Sequence, residues 1–212
     1  MTANIDLKEL ERKAFKSTFE DGVWDIYLGL MLLPMVFWLL LVAQRDEPAA
    51  WAVVFTFGFF AVPLILFRAT KKHLVVPRLG VVRFGTERQR KRKKLGLVLA
   101  LSVLGTAVLV SITAFSIFPT FDNLPEWAFL VGLFGAKIVL VFSLIAYYLD
   151  FSRAYLYGWF YALAVVNLFT QIDAGAGVPL LPVLFAMIMM GVGAVLLIRF
   201  LRTHPLPEVS HE

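Results

Sequence analysis

Six long apolar stretches separated by short polar ones set the pattern of the chain: Trp24–Ala43, Ala49–Phe67, Leu95–Phe118, Trp127–Leu149, Ala154–Thr170 and Val178–Leu201. A helix crosses the ~30 Å hydrocarbon layer with ~20 mainly apolar residues, so each stretch is predicted to be a transmembrane helix. The runs are continuously apolar, whereas the strands of a membrane barrel alternate. A helix also pairs its backbone donors and acceptors within itself, as lipid requires. The connections Gln44–Pro48, Pro119–Glu126, Asp150–Arg153 and Gln171–Gly177 are short. Consecutive spans are therefore expected as antiparallel hairpins of one all-α polytopic bundle.

Two pieces outside the spans follow other periods. Residues 1–22 are predicted to form an amphipathic interfacial helix over Asp6–Phe19. Leu7, Leu10, Ala14, Phe15 and Phe19 line one face, and Lys8, Glu9, Arg12, Lys13 and Lys16 the other. Asp6 and Glu9 suit its first turn, and Gly22 can end it before span 1. The six-span domain covers 23–204, with a basic loop at 68–94 and a tail at 205–212. Within that loop Leu74–Phe84 reads as two short extended runs around a turn, with Pro77 and Gly80 as the residues that suit a type I turn. This predicts a short cytoplasmic β-hairpin-like loop. It is too small to be stable alone and must pack against something else.

Charge sets the expected orientation. Of the twenty Lys and Arg, all but Arg45 and Lys137 fall on one side of a six-span arrangement. Cationic loops stay in the cytoplasm, so both the N and C termini are expected there. Trp51 and Trp127 would mark the outer boundary, and Trp24, Tyr147, Tyr148 and Tyr155 the inner one. The leader before Trp24 and the length of span 1 argue against a cleavable signal peptide. Composition agrees: 60% of the residues are hydrophobic and only 17% charged, too little polar surface for a soluble domain. The absence of cysteine excludes a disulfide scaffold, a thiolate metal site and a cysteine nucleophile.

Two short segments carry a resemblance. Asp21-Gly22-Val23-Trp24-Asp25-Ile26-Tyr27-Leu28-Gly29, together with Pro77-Arg78-Leu79-Gly80-Val81-Val82-Arg83-Phe84, resembles a group of uncharacterised prokaryotic multi-pass membrane proteins. The resemblance extends over roughly residues 1–90. It implies a prokaryotic setting, hence the plasma (inner) membrane, and brings no activity with it.

The candidate chemistry is sparse. No acidic residue lies deep in a span, and His73, His204 and His211 all lie outside the spans. Ligands converging at depth for a metal are missing, as is a carboxylate relay for protons. No metal or other cofactor is expected, and the reading leans away from an enzyme. Lys137 is the exception. It lies ~16 Å from Glu126 and ~20 Å from Asp150 at 1.5 Å per residue, too deep for its stem to reach water. Such an ammonium costs at least ~2.5 kcal/mol to insert. It needs an anion, a carboxylate on a partner, or hydroxyls and carbonyls around it. Asp25 is the nearest internal counter-ion candidate. On the same span Gly132, Gly135, Ala136, Ser143 and Ala146 share a face suited to close packing, with Lys137 pointing away from it.

The remaining candidates are the run Arg88, Arg90, Lys91, Arg92, Lys93 and Lys94, and the pair Tyr157 and Tyr161. The basic run suits anionic lipid headgroups at ~1 kcal/mol per cation, or serves only as a topology signal. Nucleic acid is not expected as a partner, because no base-reading fold surrounds the run. Tyr157 and Tyr161 share a face of span 5 and, with Asn167 and Gln171, could line a polar path or simply bond between helices. Gly191 and Gly193 are read as close-packing positions in span 6. The expected function is a non-enzymatic membrane component that binds anionic lipid, a membrane protein partner or a second copy. A small transporter or channel for an anionic solute using Lys137 is the alternative, and an interfacial lipid-modifying enzyme the third.

Overall fold

A computed structural model describes residues 19–42, 50–79, 86–114, 126–174 and 179–205. The elements among them are helices: α1 (Val23–Val42), α2 (Ala50–Thr70), a π-helical turn (Lys71–Val75), α3 (Val76–Leu79), α4 (Thr86–Ala114), α5 (Glu126–Leu149), α6 (Arg153–Asp173) and α7 (Leu180–Thr203). There is no strand among the described residues. The chain forms two compact units, Met1–Arg83 with Ala174–Glu212, and Phe84–Asp173. In the first, α1 packs on both α2 and α7; in the second, α5 packs on α4 and α6.

Each of the six apolar stretches is helical where it is described, apart from Pro179, the extended residue before α7. Among the described residues, two helices are long and apolar enough to cross a membrane, Ala128–Leu149 within α5 and Leu180–Thr203. Val23–Phe37 is a shorter apolar helix. The expected count of six is thus not reached by length and composition there. In α6 the reason is visible, because Tyr155, Tyr157, Tyr161, Asn167 and Gln171 dilute its apolar run. Large apolar side chains nevertheless face outward: Ile65, Leu97, Leu101, Val103, Leu104, Leu140 and Val195 are each more than half exposed.

The hairpin expected at Leu74–Phe84 is corrected over Leu74–Leu79, which is helical; residues 80–85 lie outside the described residues. Pro77 explains the change. In an uninterrupted α-helix its ring would clash with the carbonyl of His73, four residues back. The chain widens instead, and the Val76 N–H donates to the Lys71 carbonyl five residues back. A single π-turn of this kind is found inserted between α-helical segments, and here it accommodates the proline. Arg78 then donates from Nη1 to the Leu74 carbonyl at 2.9 Å. Most of the amphipathic helix expected at Asp6–Phe19 lies outside the described residues. Phe19 and Glu20 are helical, and Gly22 interrupts the chain as expected, with φ 76°.

Glycine spacing sets the register of α1 against α7. Gly22 and Gly29 are seven residues apart, as are Ala186 and Gly193. A methyl group on Gly193 would lie 2.7 Å from the Gly22 carbonyl oxygen, and one on Gly29 would lie 2.9 Å from the Ala186 carbonyl oxygen. Two antiparallel helices therefore touch backbone to backbone at two levels, about two turns apart. Gly191, also expected at a close contact, has nothing near it.

In the second unit α5 ends in a left-handed residue, Asp150 at φ 53°. The Phe151 N–H donates to the Ala146 carbonyl at 3.0 Å, closing a Schellman motif, and Phe151 is buried beneath it. Aspartate tolerates this conformation better than most residues. The tight turn returns α6 against α5. There Gly158 abuts Phe142 and Gly135 faces Ala162. Gly132 and Ala136, expected on this seam, are exposed.

Candidate functional site

Among the described residues, the most enclosed polar cluster lies where α1 begins. Gly22 supplies the first helical acceptor, its carbonyl taking the Ile26 N–H at 3.1 Å. Asp21 precedes it, and its Oδ1 accepts the Val23 N–H at 3.1 Å. This satisfies one of the free donors at a helix start and sets a negative charge at the positive end of the helix dipole. Asp21 is fully buried, and Lys71 of the π-turn donates to its other oxygen, Oδ2, as an ion pair. Asp25, one turn along α1, is also fully buried and adds a second acidic group beside the first.

Burial pushes the Asp21 carboxyl above its ordinary 3.8. Lys71 and the Val23 N–H pull it back, while Asp25 raises it further.

The π-turn explains how Lys71 arrives there. Lys71 and Val75 are one turn apart and share a face. Val75 packs with Val23 and Phe200, against Phe67, Leu197 and Leu201. The same turn thus buries an apolar side chain and carries a cation to the carboxylate. Beside it, Trp24 meets Phe67 at 4.7 Å and Tyr27 meets Phe67 at 4.8 Å between ring centroids. A crevice of about 120 Å³ opens between Tyr27, Pro63, Phe67, Thr70 and Leu74. It is mostly apolar. The cluster beside it ties the start of α1 to the turn that ends α2, a lock between the two helices.

Lys137 lies in the second unit and is satisfied by a hydroxyl. Its ammonium donates to Thr106 Oγ1 on α4, and that hydroxyl donates onward to the Ser102 carbonyl at 2.9 Å. The Phe134 ring lies 5.6 Å from the ammonium, close enough for cation–π attraction. Among the described residues no carboxylate pairs with it. The direction away from the α5–α6 seam is as expected, and the neighbour on that side is α4.

The other sequence candidates do not join Lys137. Tyr157 is buried among aromatic rings, 6.1 Å from Phe151 and 6.3 Å from Phe160. Tyr161 packs on Phe142 at 5.0 Å. Phe142 follows Lys137 by five residues, about 140° around the helix, so Tyr161 and the lysine lie against different sides of α5. Among the described residues, none is a hydrogen-bond partner of the buried Asn167 side-chain oxygen. Asp25 belongs to the other unit. Arg90, Lys91, Lys93 and Lys94 are exposed on the first turns of α4; the side chains of Arg88 and Arg92 lie outside the described residues.

Asp21 and Lys71 were missed by sequence reasoning. The available signal was an Asp-Gly pair at a helix start, where an aspartate side chain can accept the N–H two residues on.

Removing the Lys137 charge should leave the fold intact. Lys137→Met is expected to unfold at or above the wild-type temperature, since an ammonium at depth costs at least ~2.5 kcal/mol to insert. Thr106→Val strands the ammonium and is expected to cost about 1–3 kcal/mol. Thermal unfolding of both variants in one detergent checks the pair. A large loss in Lys137→Met would contradict this account.

Comparison of the chain with family models, with curated proteins and with solved structures finds no match.

Proposed function

We propose that this protein is a six-span component of a prokaryotic plasma membrane, with both termini cytoplasmic, that gathers anionic phospholipid around its cytoplasmic face without catalysing a reaction. One observation carries the reading. Arg90, Lys91, Lys93 and Lys94 are exposed on a helix whose next turns expose Leu97, Leu101, Val103 and Leu104. Cations followed by an apolar surface suit a helix that leaves the headgroup layer and enters hydrocarbon. The amphipathic segment Asp6–Phe19 would lie in the same interface.

The test uses the full chain in bilayers of mixed phosphatidylglycerol and phosphatidylcholine. Wild type is expected to enrich phosphatidylglycerol around itself. The enrichment should fall as salt rises from about 0.1 M to about 1 M, where the Debye length shrinks from about 10 Å to about 3 Å. A variant with Gln at Arg90, Lys91, Lys93 and Lys94 should lose most of it. The other cations of 68–94 remain to hold the orientation. Equal recruitment of both lipids would sink the reading. A defined protein retained in place of lipid would replace it with partner binding, and anion flux that falls in Lys137→Met would replace it with transport.

A further inference from the structure

We propose that the outward face of α7 is a seat for one anionic phospholipid, its phosphate held by Arg199 and Arg202 and an acyl chain lying along Val195, Gly191 and Ile188. This rests on the membrane placement proposed above, but on a different helix and a different kind of binding.

The face is defined by the helix itself. At 100° per residue, Ile188, Gly191, Val195, Ile198, Arg199 and Arg202 fall within a sector of about 100°. All six are exposed. The buried residues of α7, Pro182, Ala186, Met189, Gly193 and Phe200, point the other way. An open groove of about 440 Å³ runs along Val195, Ile198, Arg199, Arg202 and Thr203. It is apolar along its length and cationic at one end.

Charge complementarity selects the occupant. Among the described residues neither guanidinium has a carboxylate partner. They stand one turn apart at the end of an apolar helix, where a guanidinium meets the headgroup layer and can take a phosphate through two parallel hydrogen bonds. The dimensions fit as well. Eleven residues separate Ile188 from Arg199, about 16 Å of helix, which is about half the ~30 Å hydrocarbon layer and so the depth of one leaflet. Gly191 lies within that depth, with no heavy atom near the position its side chain would fill. It leaves a notch in the stripe between Ile188 and Val195, where a chain can lie close to the helix backbone.

The seat differs in kind from the basic start of α4. A cluster of cations there attracts a lipid population and is screened by salt, whereas two arginines over a notch hold one molecule in one place.

The experiment is native mass spectrometry of the full chain released from bilayers of phosphatidylcholine containing graded phosphatidylglycerol. Wild type is expected to retain one phosphatidylglycerol in preference to phosphatidylcholine. In Arg199→Gln/Arg202→Gln its half-saturation should rise about 30-fold, from ~1 kcal/mol per cation near the surface. Gly191→Phe fills the notch and leaves both charges, and should weaken retention in the same direction. Circular dichroism confirms that each variant stays helical. The variant neutralised at Arg90, Lys91, Lys93 and Lys94 should keep the single lipid while losing the wider enrichment. Unchanged retention in Arg199→Gln/Arg202→Gln, or equal retention of the two lipids, overturns the seat. If wider enrichment is absent as well, the proposed function falls with it; if that enrichment persists, only the seat is lost.

Discussion

Lys71→Met should destabilise the protein by about 3–5 kcal/mol, the cost of leaving a buried charge without its partner. Asp21 is fully buried, and Lys71 is its cation. Asp21 also accepts the Val23 N–H, so the loss of its cation bears on the first turn of α1. The double variant Asp21→Asn/Lys71→Met should recover much of the loss, because a neutral amide can still accept that N–H and no longer needs a cation. Thermal unfolding in a single detergent measures the cycle. If Lys71→Met unfolds with wild type, the pair contributes nothing and the lock is wrong.

The pair also fixes a direction for pH. The Asp21 carboxyl is raised above 3.8 in the folded protein, chiefly by burial. The folded state therefore holds its proton more tightly than the unfolded chain does. This contribution is complete below 3.8 and is lost as pH rises through the raised value. Relative to Asp21→Asn, wild type should gain stability on acidification through that window. Lys71→Met should show the same trend more strongly, since the cation that opposes the shift is gone. A gain on raising the pH would contradict the assignment.

Gly22→Ala is the second large effect. The backbone there is left-handed, which costs an L-residue about 1–2 kcal/mol. The added methyl would also press on the Gly193 carbonyl oxygen and lie 2.9 Å from the Leu197 nitrogen. These neighbours are backbone and cannot swing aside, so overpacking adds about 1–3 kcal/mol. Gly193→Ala meets the same contact from the other helix without the φ penalty, and should cost less than Gly22→Ala. Gly191→Ala, two residues away and open, should stabilise by up to about 1 kcal/mol through helix propensity. Unfolding temperatures ordered otherwise would contradict a close α1–α7 contact at Gly22 and Gly193.

Legibility differed between elements for physical reasons. The apolar runs showed where helices lie, because a run of that length has few other ways to bury or pair its backbone. In α5 and α6 the ends moved by only a few residues: Trp127–Leu149 became Glu126–Leu149, and Ala154–Thr170 became Arg153–Asp173. Leu74–Leu79 was misread. Two valines before a proline have strand-like composition, but a π-bulge let the preceding helix continue through them. The small-residue face of α5 was half legible. Gly135 and Ala146 are buried, while Gly132 and Ala136 are not, since helical spacing shows which residues share a face but not how wide the partner helix is.

The candidate site was less legible than the fold. Lys137 stood out as an ammonium in need of a partner, and it donates to a hydroxyl, one of the partners expected for it. That the hydroxyl belongs to Thr106 depends on how α4 packs on α5. Asp21 and Lys71 are fifty residues apart and attracted no notice as a pair.

Hydrophobic runs, helical periods and the side to which the cations fall are properties of single segments, and the sequence by itself determined them as expectations. The heptad-spaced contact of Gly22 and Gly29 with Gly193 and Ala186 belongs to two segments at opposite ends of the chain. So does the alignment of a cation on a π-turn with a capping carboxylate. Such pairings depend on the register between helices, which is chosen by the sum of many small contacts, and only the tertiary structure decided it.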